Sequence, residues 1–145
     1  MRTPYDAVIS LRERETDAAA QAMREVVERV ASIEAQIAGA QESVTREAAF
    51  KAEDLAVRSD LYLLRMYGKI AALRRELEDA QAELDERRED LLQLVAETKA
   101  LEQVAENFRV AERLAEERAA QAQIDDRIGF LHGAKLRSSA RSIAA

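Results

Sequence analysis

The residues with the most versatile chemistry in this chain are His132, set between Gly129 and Gly133, and the carboxylate pairs Asp85-Glu86 and Glu116-Glu117. An imidazole serves as a metal ligand or a general base when a second ligand or a nucleophile stands beside it. Here there is no cysteine and no second histidine to complete either arrangement. A phosphate-cradling loop needs a strand before its glycines, a helix start after them and a lysine in the right place, and Gly129 and Gly133 have none of these. The carboxylate pairs fall on convex helix surfaces, where water screens them and leaves their proton affinity ordinary. The expectation is a protein that is not an enzyme, with no catalytic, cofactor-binding or metal-binding residue.

The elements that carry these residues are long helices. Between residues 63 and 108 one strict alternation of three and four residues connects Leu63, Met66, Ile70, Leu73, Leu77, Ala80, Leu84, Arg87, Leu91, Leu94, Thr98, Leu101, Ala105 and Phe108. Sustained apolar period 3.5 is a coiled-coil seam, and it predicts a straight rod of roughly 65 Å at about 1.5 Å per residue. A second, earlier seam runs through Tyr5, Ile9, Arg12, Thr16, Ala19, Met23, Val26, Val30, Ile33, Ile37, Ala40 and Val44. Carried further, it would place Glu47, Lys51, Asp54 and Arg58 on the buried stripe, so it ends near residue 45.

Composition agrees with this reading. Of 145 residues, 34% are charged and 4% aromatic, with four glycines, one proline and no tryptophan. The loop-forming residues that a compact globule of this length requires are missing. The fold class is therefore all-α: two long helices forming an antiparallel coiled-coil hairpin with a protruding C-terminal helix. The whole chain, 1–145, reads as a single elongated coiled-coil domain. Its first helix spans about 4–47, its tip lies within 45–62, its second helix spans about 60–128, and a mobile basic tail occupies about 134–145.

Local signals set the ends. Thr3 caps, Pro4 suits the first helical turn, and Asp6 occupies the capping-box position at the positive end of the helix dipole. If the chain reverses near residue 53, Val30 meets Leu77, Met23 meets Leu84, Ile37 meets Ile70 and Tyr5 meets Leu101. Shifts in phase with the repeat also align the seams, so periodicity leaves the tip open. The same pairing gathers the polar seam residues Arg12, Thr16, Arg87 and Thr98 in the half nearer the N-terminus, either with the arginine stems lying on the seam and their heads in water or as a region left loose to change partners. Ion pairs of acid-first i, i+4 spacing, Glu25–Arg29, Glu42–Arg46, Asp54–Arg58 and Glu83–Arg87, mark solvated faces. Beyond Leu101 the second helix outruns the first and protrudes alone to about residue 128, and a lone helix of that kind is marginally stable in water.

The formal charge of −6 is uneven: residues 128–145 carry Lys135, Arg137 and Arg141 and no acid, leaving about −9 on the rest. A mostly acidic rod is a poor nucleic-acid binder, so no nucleic-acid partner is expected. No apolar run approaches the roughly 20 residues of a membrane span and the first residues hold no apolar signal core. Absent cysteines fit a reducing compartment, and the expected location is the cytoplasm.

Three stretches carry a family likeness. The opening Tyr5-Asp6-Ala7-Val8-Ile9-Ser10-Leu11-Arg12-Glu13-Arg14-Glu15 sets an apolar pair before Leu-Arg-Glu. The second helix begins with Leu61-Tyr62-Leu63-Leu64-Arg65-Met66-Tyr67, and a late segment reads Glu116-Glu117-Arg118 to Gln123-Ile124-Asp125-Asp126. With its length and hairpin pattern, the chain resembles the flagellar FliJ family, the coiled-coil component of the bacterial type III export ATPase complex, related to YscO-type injectisome proteins. The final dozen residues fall outside the likeness.

The resemblance implies a two-helix stalk whose helix ends enter the pore of a hexameric export ATPase and promote its assembly and activity. It also implies contacts with a membrane export gate and with export chaperones, so that any association with the inner membrane is peripheral and made through partners. Carried over residue by residue, the ATPase-ring contacts would be Tyr5, Val8, Leu11, Val104, Phe108 and Leu114. The export-gate contacts would be Met66, Tyr67, Ile70 and Leu73, of which Ile70 and Leu73 also belong to the seam while Tyr67 lies off it. Two other functions suit the same pattern: a self-associating structural coiled coil, and an adaptor or chaperone that holds a partner's amphipathic helix against Val104, Phe108 and Leu114.

Overall fold

A computed structural model describes residues 2–51 and 56–144. Two helices account for nearly all of them: α1 (Asp6–Lys51) and α2 (Ala56–Ala144). Neither contains a proline, and both are rich in alanine, glutamate and arginine, which lose little freedom in a helix. Within the stretch 45–62 expected to hold the tip, residues 45–51 and 56–62 are helical, and 52–55 lie outside the described residues. The chain divides into two units, one of residues 10–98 and one combining 1–9 with 99–145.

In the unit of residues 10–98, α1 and α2 pack antiparallel along the two predicted seams. Val26, Ile33, Ala40, Ile70, Leu73, Ala80 and Leu84 are buried. Ile33, Leu73 and Ala80 form one cluster, onto which Val30, Ile37 and Leu77 pack. Val30 and Leu77, expected to face one another, thus share a cluster. Full burial of a Leu or Ile side chain is worth about 1.5–3 kcal/mol, so this short stretch holds much of the hairpin together.

The polar seam residues are accommodated without stranded polar atoms. Thr16 and Thr98 donate their hydroxyls to the carbonyls of Arg12 and Leu94, one turn back in their own helices, at 2.8 Å each. Thr98 can therefore be buried while presenting its methyl group to the seam. Arg12 reaches out to Glu15 at 2.9 Å and across to Glu97 at 3.3 Å. Arg87 turns to Glu83, which also accepts a 2.6 Å bond from Arg29 across the hairpin. These pairs are a third or more exposed and act as alignment contacts rather than as major sources of stability. Of the expected i, i+4 pairs, Glu42–Arg46 and Glu83–Arg87 form. Arg29 prefers Glu83 to Glu25, and Asp54 lies outside the described residues.

In the unit of residues 1–9 and 99–145, the N-terminal segment closes against α2. Here the expected pairing of Tyr5 with Leu101 is corrected: the Tyr5 ring meets Phe108, one heptad further along. Leu101 and Phe108 sit in phase on the same seam, so spacing alone does not separate them, whereas an edge-to-face aromatic contact favours Phe108. Ala105 retains no accessible surface at all, and Phe108, Arg109 and Val110 are half-buried. The overhang of α2 therefore begins after Val110 rather than after Leu101, and from residue 111 to 143 every residue is exposed except the half-buried Gly133.

The expected end of the second helix near Gly129 and Gly133 is also corrected, since α2 continues through both glycines to Ala144. A glycine in a helix interior costs about 1 kcal/mol relative to alanine, which weakens a helix without ending it. The residues that follow, Ala134, Lys135, Leu136, Arg137 and Ala140, are good helix formers, and Arg141 in the last turn complements the dipole. Residues 134–144, expected as a mobile basic tail, are helical.

Candidate partner-binding surfaces

The N-terminal closure is built from the cap outward. Thr3 N–H donates to Asp6 Oδ2 at 2.9 Å, which is the acid half of the predicted capping box. The Thr3 hydroxyl donates to Asp6 Oδ1 at 2.6 Å, and the Asp6 N–H turns to the Thr3 carbonyl at 3.2 Å. Thr3 is buried by these contacts. Arg109 approaches the same carboxylate oxygen, 3.4 Å from Asp6 Oδ1, and lies 3.4 Å from Glu106. The Thr3 hydroxyl bond and the Thr3 backbone bond hold the Asp6 carboxyl below its ordinary proton affinity; desolvation opposes them, and the Arg109 guanidinium adds a lesser lowering.

This closure changes how the six expected ATPase-ring residues are disposed. Tyr5 and Phe108 are turned toward each other, with ring centroids 6.2 Å apart. Val8, Val104 and Leu114 keep roughly two-fifths of their surface exposed. Leu11, which belongs to the 10–98 unit, is likewise exposed. Arg109 was missed by sequence reasoning, because its partner Asp6 was read only as a capping group.

The expected export-gate residues separate into core and surface. Ile70 and Leu73 are buried, so they serve the hairpin seam. Met66 is half-buried and Tyr67 more than half exposed. Tyr67 forms a wall of an open groove of about 330 Å³ shared with Gln41, Val44, Thr45, Ala71 and Arg74, with Ile70 among its lining residues. Leu61 and Leu64, exposed beside it, extend the apolar surface. The signal for them was the unbroken Leu61-Tyr62-Leu63-Leu64, which is too apolar for a helix that buries only one stripe.

A second groove, about 380 Å³, lies among Arg12, Ala19, Asp90, Gln93, Leu94 and Glu97 and mixes polar with apolar lining. Among the described residues, no group of three or more histidines, cysteines or carboxylates is arranged to hold a metal, and no helix is long and apolar enough to cross a membrane. His132 is exposed on the overhanging part of α2.

No curated protein and no solved structure matches the chain. The model of one protein family, described as flagellar FliJ protein, does match, and it covers residues 1–137, which takes in both helices, the N-terminal closure and most of the overhang. The chain belongs to the FliJ family: it is a flagellar, export-associated coiled-coil protein.

Proposed function

We propose that this protein is a non-enzymatic stalk of the flagellar type III export apparatus, which inserts its helix ends into the hexameric export ATPase and promotes the assembly and activity of that ring. The observation that carries the reading is the inequality of the two helices. Beyond Val110, α2 runs on to Ala144, and from 111 to 143 it is exposed at all but the half-buried Gly133, with no other segment covering it among the described residues. A helix exposed on all sides gains no packing energy, and insertion into a ring pore supplies it.

In this reading Val8, Val104 and Leu114 meet the ring, as does Leu11 of the 10–98 unit, and Tyr5 and Phe108 hold the start of the chain to α2. Tyr67, with Met66 at its flank, faces the export gate across the groove beside α1, while Ile70 and Leu73 support it from the core. Export chaperones are further partners. The protein works in the cytoplasm, at the inner-membrane face, held there by its partners.

The test is stimulation of a purified hexameric export ATPase by the full chain and by a chain ending at Val110. The full chain should raise ATP turnover and stabilise the hexamer, and the shortened one should do neither. Equal stimulation by both would sink the proposal. Tyr67→Ala should leave ATPase stimulation intact and weaken capture of the gate protein.

A further inference from the structure

The overhang carries a seam of its own. Starting at Val110, a strict three-four repeat runs Val110, Leu114, Glu117, Gln121, Ile124, Ile128, Leu131, Lys135, Ser138, Ser142. The step from Phe108, last residue of the first seam, to Val110 carries the stripe about 200° round the helix. The new seam therefore lies on the side of α2 away from the one that Tyr5 covers. Leu114, Ile124, Ile128 and Leu131 are all exposed, the last two at 60%.

We propose that this face binds a second copy of the same chain, antiparallel, with the pairing centred between Ile124 and Ile128. In that register Ile124 meets Ile128 of the other copy, Leu131 meets Gln121, Lys135 meets Glu117, Leu114 meets Ser138 and Val110 meets Ser142. Each layer recurs by two-fold symmetry, as an isologous interface requires. Every polar seam residue thus falls opposite an apolar one or opposite its own countercharge, and the two isoleucine layers sit together at the centre.

Charge favours this orientation. Residues 111–127 hold Glu112, Glu116, Glu117, Asp125 and Asp126 against Arg113, Arg118 and Arg127, a net of −2, while residues 128–145 hold three cations and no acid, a net of +3. Antiparallel pairing lays the acidic half of each copy along the basic half of the other; parallel pairing lays like on like. Glu117 and Lys135 have no ion-pair partner within their own chain among the described residues, so both are free for the intermolecular contact. The seam covers about 50 Å of helix, enough for a coiled-coil contact of ordinary length.

The pairing covers Leu114, which the proposed ring contact also uses, so dimer and ring-bound forms exclude one another; the dimer is tested on the full chain alone, without the ATPase, by sedimentation equilibrium over a wide concentration range. The expected result is a monomer–dimer equilibrium between 16.2 kDa and twice that mass. Ile128→Asp should raise the dissociation constant by at least about tenfold, since it puts carboxylates into both central layers. Glu117→Lys and Lys135→Glu should each weaken the dimer several-fold, and the double variant should restore it. Circular dichroism should show the hairpin intact in every variant, because all three positions are exposed. A mass of 16.2 kDa at every concentration would leave the face to some other partner and overturn the proposal. So would a trimer or larger assembly, or a double variant as weak as the singles.

Discussion

The Tyr5 ring stands edge-on to the Phe108 ring, with centroids 6.2 Å apart and planes at 77°. Tyr5 precedes the first residue of α1, so this contact fastens the non-helical start of the chain to the side of α2. Such a pair contributes about 0.5–1.5 kcal/mol beyond the area it buries. Because it lies at the end of the helix pair, its loss opens the end locally and leaves the buried seam alone. Tyr5→Ala and Phe108→Ala should each accelerate amide exchange at residues 6–10 by roughly five- to tenfold, consistent with a loss of about 1–1.4 kcal/mol. A double-mutant cycle should show coupling between them. Independent, additive effects would show that the rings do not support one another.

The Asp6 carboxylate brings a pH dependence to the same end of the molecule. Its proton affinity in the folded chain is lower than in the unfolded chain, chiefly because Thr3 hydrogen-bonds the charged form. The sign follows: the stabilising effect is fully present above the ordinary aspartate range and is lost as pH falls through about 4 and below. Exchange at the first turn of α1 should accelerate in that window, and Asp6→Asn should be open at neutral pH and insensitive to the same titration. An equal acid response in Asp6→Asn would assign the effect to other carboxylates.

Leu73→Ala and Ile33→Ala remove side chains from the central cluster of the hairpin, where both are about 95% buried. Each should cost about 2–5 kcal/mol and lower the thermal midpoint followed by circular dichroism. Leu64→Ala, at an exposed position, should change it by less than about 0.5 kcal/mol. If Leu64→Ala proved as costly, the exposed apolar surface at the start of α2 would have to be covered in the free protein.

Gly39 and Gly68 lie inside helices, and a Cβ built at either meets no atom within 4 Å. Replacement by alanine should stabilise by about 0.5–1 kcal/mol at each site through helix propensity alone. Denaturant midpoints of Gly39→Ala, Gly68→Ala and the pair should rise additively, since each acts through its own helix backbone. A fall at Gly68 would indicate that close approach at that face matters to the folded chain.

Periodicity carried most of the fold. The two seams predicted from Tyr5 to Val44 and from Leu63 to Phe108 hold every buried apolar residue of the described chain. Thr98 shows why polar intruders did not mislead: a threonine that bonds its own helix presents a methyl to its neighbour. Register was less legible, because Leu101 and Phe108 are equivalent in any count of threes and fours, and aromatic contact and the Asp6–Arg109 pair separate them only in three dimensions. The helix end at residue 128 was misjudged for a thermodynamic reason, as two glycines among good helix formers lower stability without imposing a stop. Among the carried-over contacts, Ile70 and Leu73 were recognisable as seam residues, and Tyr67, off the seam, was recognisable as exposed.

Ala105 acts as a gauge block. With no surface left to solvent, its single methyl fixes the clearance at which the opening residues of the chain can lie against α2. Any larger side chain there would act as a shim, wedging that segment outward while leaving the hairpin seam undisturbed. How tightly this end of the molecule shuts is thus dimensioned by one of its smallest residues, and a series of glycine, alanine and valine at that position would tune it in graded volume.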